Sequence, residues 1–86
     1  MGPMSDSCVV LLFAAARERA GRDRIRLEVA LPAPVAQVRG ALKEACPELT
    51  GLIERCRFAV DNQFVEDEHE VPTGAEVALI PPVSGG

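Results

Sequence analysis

The chain of 86 residues is long enough for one domain, and its hydrophobic content of 48% is ample for a core. A formal net charge of −4 argues against nucleic acid or an anionic membrane surface as the main partner. No apolar run approaches the roughly 20 residues of a membrane-spanning helix, and no signal-peptide pattern opens the sequence. Three widely spaced cysteines fit neither a disulfide framework nor a metal motif, so we expect reduced, core-packed thiols in a cytoplasmic protein: Cys8, Cys46 and Cys56.

The first third of the chain reads as strand, short helix and strand. Residues 1–7 are small and polar and are predicted to be disordered. The continuous apolar run over 8–13 is typical of a central strand covered on both faces. Residues 14–20 have high helix propensity and are followed by Gly21, which predicts one or two helical turns. Alternating apolar and polar residues over 24–31 predict a half-buried strand.

The main helix is predicted to begin after the prolines at 32 and 34. Apolar residues then recur at helical spacing and are expected to form its buried face: Val35, Val38, Leu42 and Ala45. Arg39 is expected on the outer, polar face. Gly40 either weakens the helix or marks close approach to the sheet. Residues 49–55 are expected to form a further short helix or a loop.

The second half predicts short strands separated by turns. Residues 58–65 read as a hairpin, 66–70 as a polar loop, and 72–74 as a turn into the last strand, which ends at Ile80. His69 lacks the further ligands that a metal site needs, and the acidic residues around it lack the spacing of a calcium loop. We therefore expect a solvated loop and no metal.

Together these elements predict an α+β fold, in which a mixed sheet carries one main helix on one face. Periodicity leaves the strand order open. The chain divides into the disordered segment 1–7, a folded domain over 8–80 and a flexible tail over 81–86.

The tail combines a stiff start with a narrow end. Pro81 and Pro82 fix φ and offer no backbone donor, so the chain leaves the last strand in an extended form. Ser84 is small, and Gly85 and Gly86 have no Cβ, so this part can enter a channel too narrow for ordinary side chains. Six extended residues reach at most about 20 Å. The terminal carboxylate can thus be placed deep inside another protein, although an unstructured glycine end is the alternative.

Two segments, VLLFAAARERAG at 10–21 and VALIPPVSGG at 77–86, resemble the small subunits of molybdopterin synthase, the MoaD type. The resemblance covers nearly all the chain from Val9 onward, including a hairpin at 60–63 and a turn at 73–76. Its specific motif is the closing Pro-Pro-Val-Ser-Gly-Gly. The resemblance implies a ubiquitin-like β-grasp fold and a sulfur carrier of molybdenum cofactor biosynthesis.

In that family an E1-like enzyme uses Mg-ATP to adenylate the terminal carboxylate, here that of Gly86, and a sulfur donor converts it to a thiocarboxylate. The tail, here Pro81, Pro82, Val83, Ser84 and Gly85, enters the active site of the large subunit. There the sulfur passes to cyclic pyranopterin monophosphate. The resemblance implies a non-catalytic subunit that is active only in a heterotetramer with the large subunit. It also implies that the chain itself binds no cofactor.

The resemblance further implies a docking patch. Phe13, Phe64 and Ile80 occupy positions where the family presents apolar residues to both partners, although each could instead belong to the core. Phe64, in a short hairpin strand, is the better exposed candidate. The family often has an aromatic residue where this chain has Ile80. Arginines within 17–26 form a basic cluster that could meet an acidic partner surface.

Two alternatives remain at the level of sequence. A sulfur carrier for thiamine or cysteine biosynthesis shares the fold, the adenylation and the Gly-Gly end, but usually lacks the Pro81-Pro82-Val83 spacer. A ubiquitin-like interaction module or protein-conjugation tag would instead act through its sheet or through conjugation.

Overall fold

The computed structural model describes residues 7–82 of the chain. Most of the segment predicted to be disordered, 1–6, and the end of the predicted tail, 83–86, lie outside the described residues. The elements in chain order are β1 (Cys8–Leu12), α1 (Ala14–Ala20), β2 (Arg24–Leu27), β3 (Ala33–Pro34), α2 (Val35–Ala45), a short 3₁₀ helix (Pro47–Leu49), α3 (Thr50–Arg55), β4 (Arg57–Val60), β5 (Gln63–Val65), β6 (Glu70–Val71) and β7 (Val77–Ile80).

Five strands form a mixed sheet in the order β2-β1-β7-β4-β5. The first and last strands, β1 and β7, lie side by side and parallel, and the other neighbours are antiparallel. A parallel pair needs a long crossover connection, and α2 lies within that crossover and packs on one face of the sheet. The predicted α+β arrangement of a mixed sheet with one main helix is confirmed. The strand order comes from the tertiary structure alone.

The core lies between the helices and the inner face of this sheet. Side chains from β1, β4 and β7 are at most 2% exposed there: Val10, Leu12, Phe58, Val77 and Leu79. From α2, Val35, Val38 and Leu42 are buried as predicted, but Ala45 is exposed. The expectation for Ala45 was wrong because this residue borders an open groove between α2 and β2 at the end of the helix.

Three predictions about the strands were wrong. β1 is covered on only one face, because the helices pack on the same side of the sheet, and Val9 on the other side is 42% exposed. The strand predicted over 24–31 stops pairing at Leu27, although Val29 is still buried. The end of the predicted polar loop also forms a two-residue strand, β6, which pairs with β3 in a small second sheet.

Arg39 of α2 was expected to point outward and instead joins three elements. Its Nη1 donates hydrogen bonds to the carbonyl oxygens of Ile53, at 2.7 Å, and Cys56, at 3.0 Å. Its Nη2 lies 2.8 Å from Oδ1 of Asp67, and its Cζ lies 5.0 Å from the centre of the Phe58 ring. One side chain therefore fixes α2 against α3, β4 and the polar loop.

The polar loop also caps α2 through its backbone. The N–H groups of Val35 and Ala36 donate to the carbonyl oxygens of His69 and Asp67, at 2.9 and 3.0 Å. These bonds satisfy donors that the first turn of a helix leaves without partners. Gly40, by contrast, makes no close approach to the sheet: it is exposed, and a Cβ there would meet nothing within 4 Å.

Candidate docking face and tail exit

The outer face of the sheet bears no helix in the part of the chain that the structure describes, and its central part is mostly apolar. At its centre lies a shallow hollow of about 230 Å³. The residues that line it lie in the strands β1, β4, β5 and β7, directly beside β1 or β7, or in the turn between β4 and β5. They are Leu11, Phe13, Ala59, Asn62, Phe64, Glu76, Ala78 and Ile80. We call this surface the docking face.

Strand register explains why these side chains share one face. Leu11 lies opposite Ala78, Ala78 opposite Ala59, and Ala59 opposite Phe64, so one row crosses four strands. Side chains directly opposite one another in neighbouring strands project on the same side of a sheet. The small side chains of the two alanines in the middle of the row create the hollow, and the larger side chains at its ends, Leu11 and Phe64, form its walls.

The three predicted docking residues meet at this hollow. Phe13 is 42% exposed and Phe64 is 55% exposed, whereas Ile80 is half-buried, and all three line the same space. Phe13 and Phe64 are therefore not core residues. Their contact with a partner stays a prediction. Sequence reasoning missed Ala59 and Ala78. Both occupy outward-facing positions of their strands, but their side chains lack the size that marks an interface residue.

The position of Phe64 is fixed by a tight turn. Asp61 and Asn62 adopt φ values of 50° and 70° between β4 and β5. This left-handed geometry matches the twist of a two-residue hairpin and is tolerated best by Gly, Asn and Asp. The Asp61 side chain also accepts a hydrogen bond from the N–H of Glu76 at 3.0 Å, and its own N–H donates to the Glu76 carbonyl at 2.8 Å. The hairpin is thus tied to the start of β7.

The tail leaves from the middle of the sheet rather than from an edge. β7 is paired on one side with β1 and on the other with β4, and the two prolines follow directly after its last residue, Ile80. Pro81 is half-buried and Pro82 is exposed. Because a strand held on both sides cannot fray easily, the direction in which the tail starts is set by the core.

A second hollow, of about 360 Å³, lies at this exit. It is lined by two arginines, two prolines and two residues of the docking face: Arg55, Arg57, Phe64, Ile80, Pro81 and Pro82. The Cζ atom of Arg57 lies 4.4 Å from the centre of the Phe64 ring, within the range of a cation–π contact. Sequence reasoning missed both arginines, because nothing local distinguishes them from ordinary surface charges.

The other groups singled out in the sequence are a histidine, three cysteines and a cluster of arginines. His69 is exposed, and within residues 7–82 no group of three His, Cys, Asp or Glu side chains could hold a metal ion. All three cysteines are free and buried, as predicted, and burial raises the pKa of each thiol. The arginines predicted to form a basic cluster, Arg17, Arg19, Arg22, Arg24 and Arg26, are all exposed.

No helix of the described chain is both long enough and apolar enough to cross a membrane.

The mixed five-stranded sheet with its crossing helix is a ubiquitin-like β-grasp domain, as solved structures with the same fold confirm. SAMP1 (small archaeal modifier protein 1) from Haloferax volcanii is 30% identical, with a TM-score of 0.78, over 93% of this chain and 99% of that one. The model of the ThiS family matches residues 10–86, and the chain belongs to this family.

Two curated relatives have the same name, molybdopterin synthase sulfur carrier subunit. The one from Chlamydomonas reinhardtii is 35% identical over 79 residues, which cover 90% of this chain and 95% of the relative. The one from Dictyostelium discoideum is 30% identical over 86 residues, which cover 96% of this chain and 100% of the relative. The resemblance inferred from the sequence is confirmed.

Proposed function

We propose that this chain is the sulfur carrier subunit of a molybdopterin synthase and works in the cytoplasm. Two relatives that match nearly all of the chain have that name, and the family match extends through the Gly-Gly end. The observation that carries the proposal is the tail exit: a Pro-Pro step leaves the central strand beside an exposed apolar face. A carrier needs both a surface that docks and a thin arm that reaches.

The chemistry takes place at the terminal carboxylate of Gly86. With a reference pKa near 3.5 it is ionised at pH 7 and is a poor acyl donor. An E1-like enzyme joins it to the α-phosphate of Mg-ATP, releasing pyrophosphate and making AMP the leaving group. A sulfur donor then forms the C–S bond while the bond to AMP breaks, which leaves a thiocarboxylate.

The thiocarboxylate is consumed in the active site of the large subunit. Its sulfur is transferred to cyclic pyranopterin monophosphate, and water returns the carbonyl carbon of Gly86 to a carboxylate. These steps need no acid, base or metal from the chain. It contributes the docking energy of its body and the reach of its tail.

The reach fits this division of labour. Four residues follow Pro82, and in extended form they span at most about 14 Å. A partner that covers the docking face would thus receive Val83, Ser84, Gly85 and Gly86 in a channel beginning near Pro82. Phe13, Phe64 and Ile80 would contact both the adenylating enzyme and the large subunit, so that the two partners bind in turn. The large subunit would form a dimer flanked by two carriers.

The mass of the intact protein tests the first half of the proposal. The chain is incubated with ATP, Mg²⁺, a cognate adenylating enzyme and sulfide. Replacement of one carboxylate oxygen by sulfur adds about 16 Da, the difference between the two atomic masses. Fragmentation should locate this added mass at Gly86. A chain whose mass stays unchanged with an enzyme proven active on another carrier would contradict the proposal.

Reconstitution tests the second half. The thiocarboxylated chain is mixed with a molybdopterin synthase large subunit and the pyranopterin precursor, and the dithiolene product is measured. Deletion of Gly85 and Gly86 should abolish product. Gly86→Ala should reduce it without changing Tm, because the added methyl group obstructs a narrow channel. If the wild-type chain yields no dithiolene product, the result would instead favour a sulfur carrier for thiamine or cysteine biosynthesis.

A protein-conjugation tag is the second candidate, and one observation favours it. The 30%-identical structure is that of a protein named a small archaeal modifier. A tag would use the same activated Gly86 but transfer its acyl group to a lysine. Isopeptide-linked adducts detected in cells by mass spectrometry, together with no sulfur transfer in the reconstituted synthase, would decide for this candidate.

A further inference from the structure

Two guanidinium groups stand where the tail leaves the folded domain. Arg55 is the last residue of α3, and Arg57 opens β4 directly opposite Ile80. Both line the hollow at the tail exit, whose remaining walls are Phe64, Ile80 and the two prolines. The hollow therefore has an apolar floor and a doubly cationic rim. The whole chain has a net charge of −4, so this cationic rim is opposite in sign to the protein as a whole.

The structure holds Arg57 in place without using up its hydrogen-bond donors. Its guanidinium stacks on Phe64 at 4.4 Å. Its only ion pair within residues 7–82 is with Glu66 at 3.9 Å, and the two side chains are 56% and 82% exposed. A contact this long between solvated groups contributes little. Within the same range, Arg55 has no carboxylate within 4.0 Å.

We propose that Arg55 and Arg57 bind a carboxylate side chain, Asp or Glu, of the protein that takes up the tail. A guanidinium offers a planar pair of donors that matches the two oxygens of a carboxylate, and two guanidiniums can each take one edge. The apolar floor accommodates the methylene stem of that acidic side chain. This inference rests on the proposed function and identifies the chemistry of the partner surface beside its tail channel.

The geometry favours a protein carboxylate over the phosphate of the acyl-adenylate. That phosphate would be attached at Gly86, four residues beyond Pro82, and an extended tail carries it up to about 14 Å away from Pro82. The arginine hollow lies at Pro82 itself. A tail that enters a channel in extended form therefore takes the phosphate away from both arginines.

The hollow is also continuous with the docking face. Phe64 and Ile80 line both spaces, so a partner seated on the apolar face already reaches the arginines. The carboxylate contact would then lie between the docking surface and the start of the tail. It would fix the direction in which Pro82 presents the four remaining residues, so Arg55 and Arg57 are positioning residues.

The test compares three variants of the full-length chain in binding to the cognate adenylating enzyme and to the large subunit, without ATP. They are the double variant Arg55→Gln with Arg57→Gln, the single variant Arg57→Lys, and the control Lys43→Gln. Lys43 belongs to α2, on the helix-covered side of the sheet, and its ammonium group lies 2.8 Å from the carboxylate of Glu54. Each dissociation constant is measured at 50 mM and at 500 mM NaCl, and Tm is measured to verify folding.

We expect the double variant to bind at least one partner ten- to a hundredfold more weakly at low salt. The difference should shrink several-fold at high salt, because ion pairs at a protein rim are screened. Arg57→Lys should fall between, since it keeps the charge but loses the planar pair of donors. The control should stay within about twofold of wild type at both salt concentrations.

Different failures have different meanings. A double variant that binds both partners like wild type, while deletion of Gly85 and Gly86 still abolishes sulfur transfer, overturns this inference and leaves the proposed function standing. A double variant that binds normally without ATP but loses adenylation also overturns it and assigns the arginines to a nucleotide phosphate. A wild-type chain that binds neither partner overturns both proposals.

Discussion

Both faces of the sheet carry apolar side chains, but helices cover only one of them. Phe58 of β4 and Phe64 of β5 belong to the same hairpin, but Phe58 is fully buried under the helices and Phe64 is 55% exposed. The same contrast runs along β7, where Val77 and Leu79 face inward and are completely buried while Ala78 and Ile80 face outward and are only partly covered. Apolar character alone therefore does not decide which residue belongs to the core.

The comparison teaches how a small domain can leave one face of its sheet uncovered. The helix-covered face buries the side chains that stabilise the fold, so the outer face contributes less to stability and can be exposed without unfolding the chain. Because strand residues alternate between faces, a shift of one residue in the register of β7 would exchange the two sets. Four predictions test this division, from the largest expected effect to the smallest.

Truncation of the inner phenylalanine should have the largest effect. Phe58→Ala removes a fully buried ring from the core and should lower the free energy of unfolding by about 3–5 kcal/mol. Urea denaturation followed by circular dichroism measures it. A loss below about 1 kcal/mol would mean that the inner face is not the main source of stability.

Arg39 lies at the edge of the helix-covered face, and its substitution should have the second-largest effect on the free energy of unfolding. Arg39→Met keeps the apolar stem over Phe58 but removes the donors to the carbonyl oxygens of Ile53 and Cys56. Leaving such acceptors without a partner costs about 1–3 kcal/mol. The matched variant Asp67→Asn removes only the charge of a half-exposed partner and should cost less than about 1 kcal/mol. Equal losses in the two variants would show that the bonds to the carbonyl groups contribute nothing.

The outer phenylalanine should affect binding more than folding. Phe64→Ala should leave the free energy of unfolding within about 1 kcal/mol of wild type, because the ring is more than half exposed. It should weaken binding to the large subunit by about 1 kcal/mol or more if the ring becomes a buried anchor. Isothermal titration calorimetry gives the dissociation constant. An unaltered value would remove Phe64 from the interface.

The buried thiols should produce the smallest effect, which appears only at alkaline pH. Burial raises the pKa of Cys8 in the folded protein, so its thiol keeps its proton at pH values where the unfolded chain, with a pKa of about 8.5, has lost it. The stabilisation is therefore complete below that pKa and is lost as pH rises through the folded value.

Tm measured between pH 7 and pH 10.5 should consequently fall, and Cys8→Ala should make the fall shallower. A Cys8→Ala variant with an unchanged slope would show that this thiol does not contribute to the pH dependence. Cys46→Ala and Cys56→Ala serve as parallel measurements, because burial is the first cause of the raised pKa at those positions also.

Much of the fold follows from local signals in the sequence. The main helix begins after Pro34 because the ring fixes φ and lacks a donor, and α1 ends at Gly21, whose φ of 75° favours glycine. The hairpin at Asp61 and Asn62 follows from turn chemistry. Each of these choices depends on a few consecutive residues, which is why a single sequence reveals them.

The errors came from interactions between distant residues. Arg39 looks like any solvated helix residue until the carbonyl groups of Ile53 and Cys56 are brought to it. The apolar run of β1 looks doubly covered until all the helices are found on one side. The hollow with Arg55 and Arg57 exists only because β4 pairs with β7 at the tail exit.

The sequence by itself determined most of the elements, the family and the Pro-Pro-Val-Ser-Gly-Gly motif, because propensity, periodicity and motifs are properties of neighbouring residues. Only the tertiary structure decided that β7 lies at the centre of the sheet and that Phe13, Phe64 and Ile80 share one hollow. Strand order and facing depend on pairings between segments up to about 70 residues apart, as between β1 and β7, and such pairings are selected by the packing of the whole chain rather than by any local pattern.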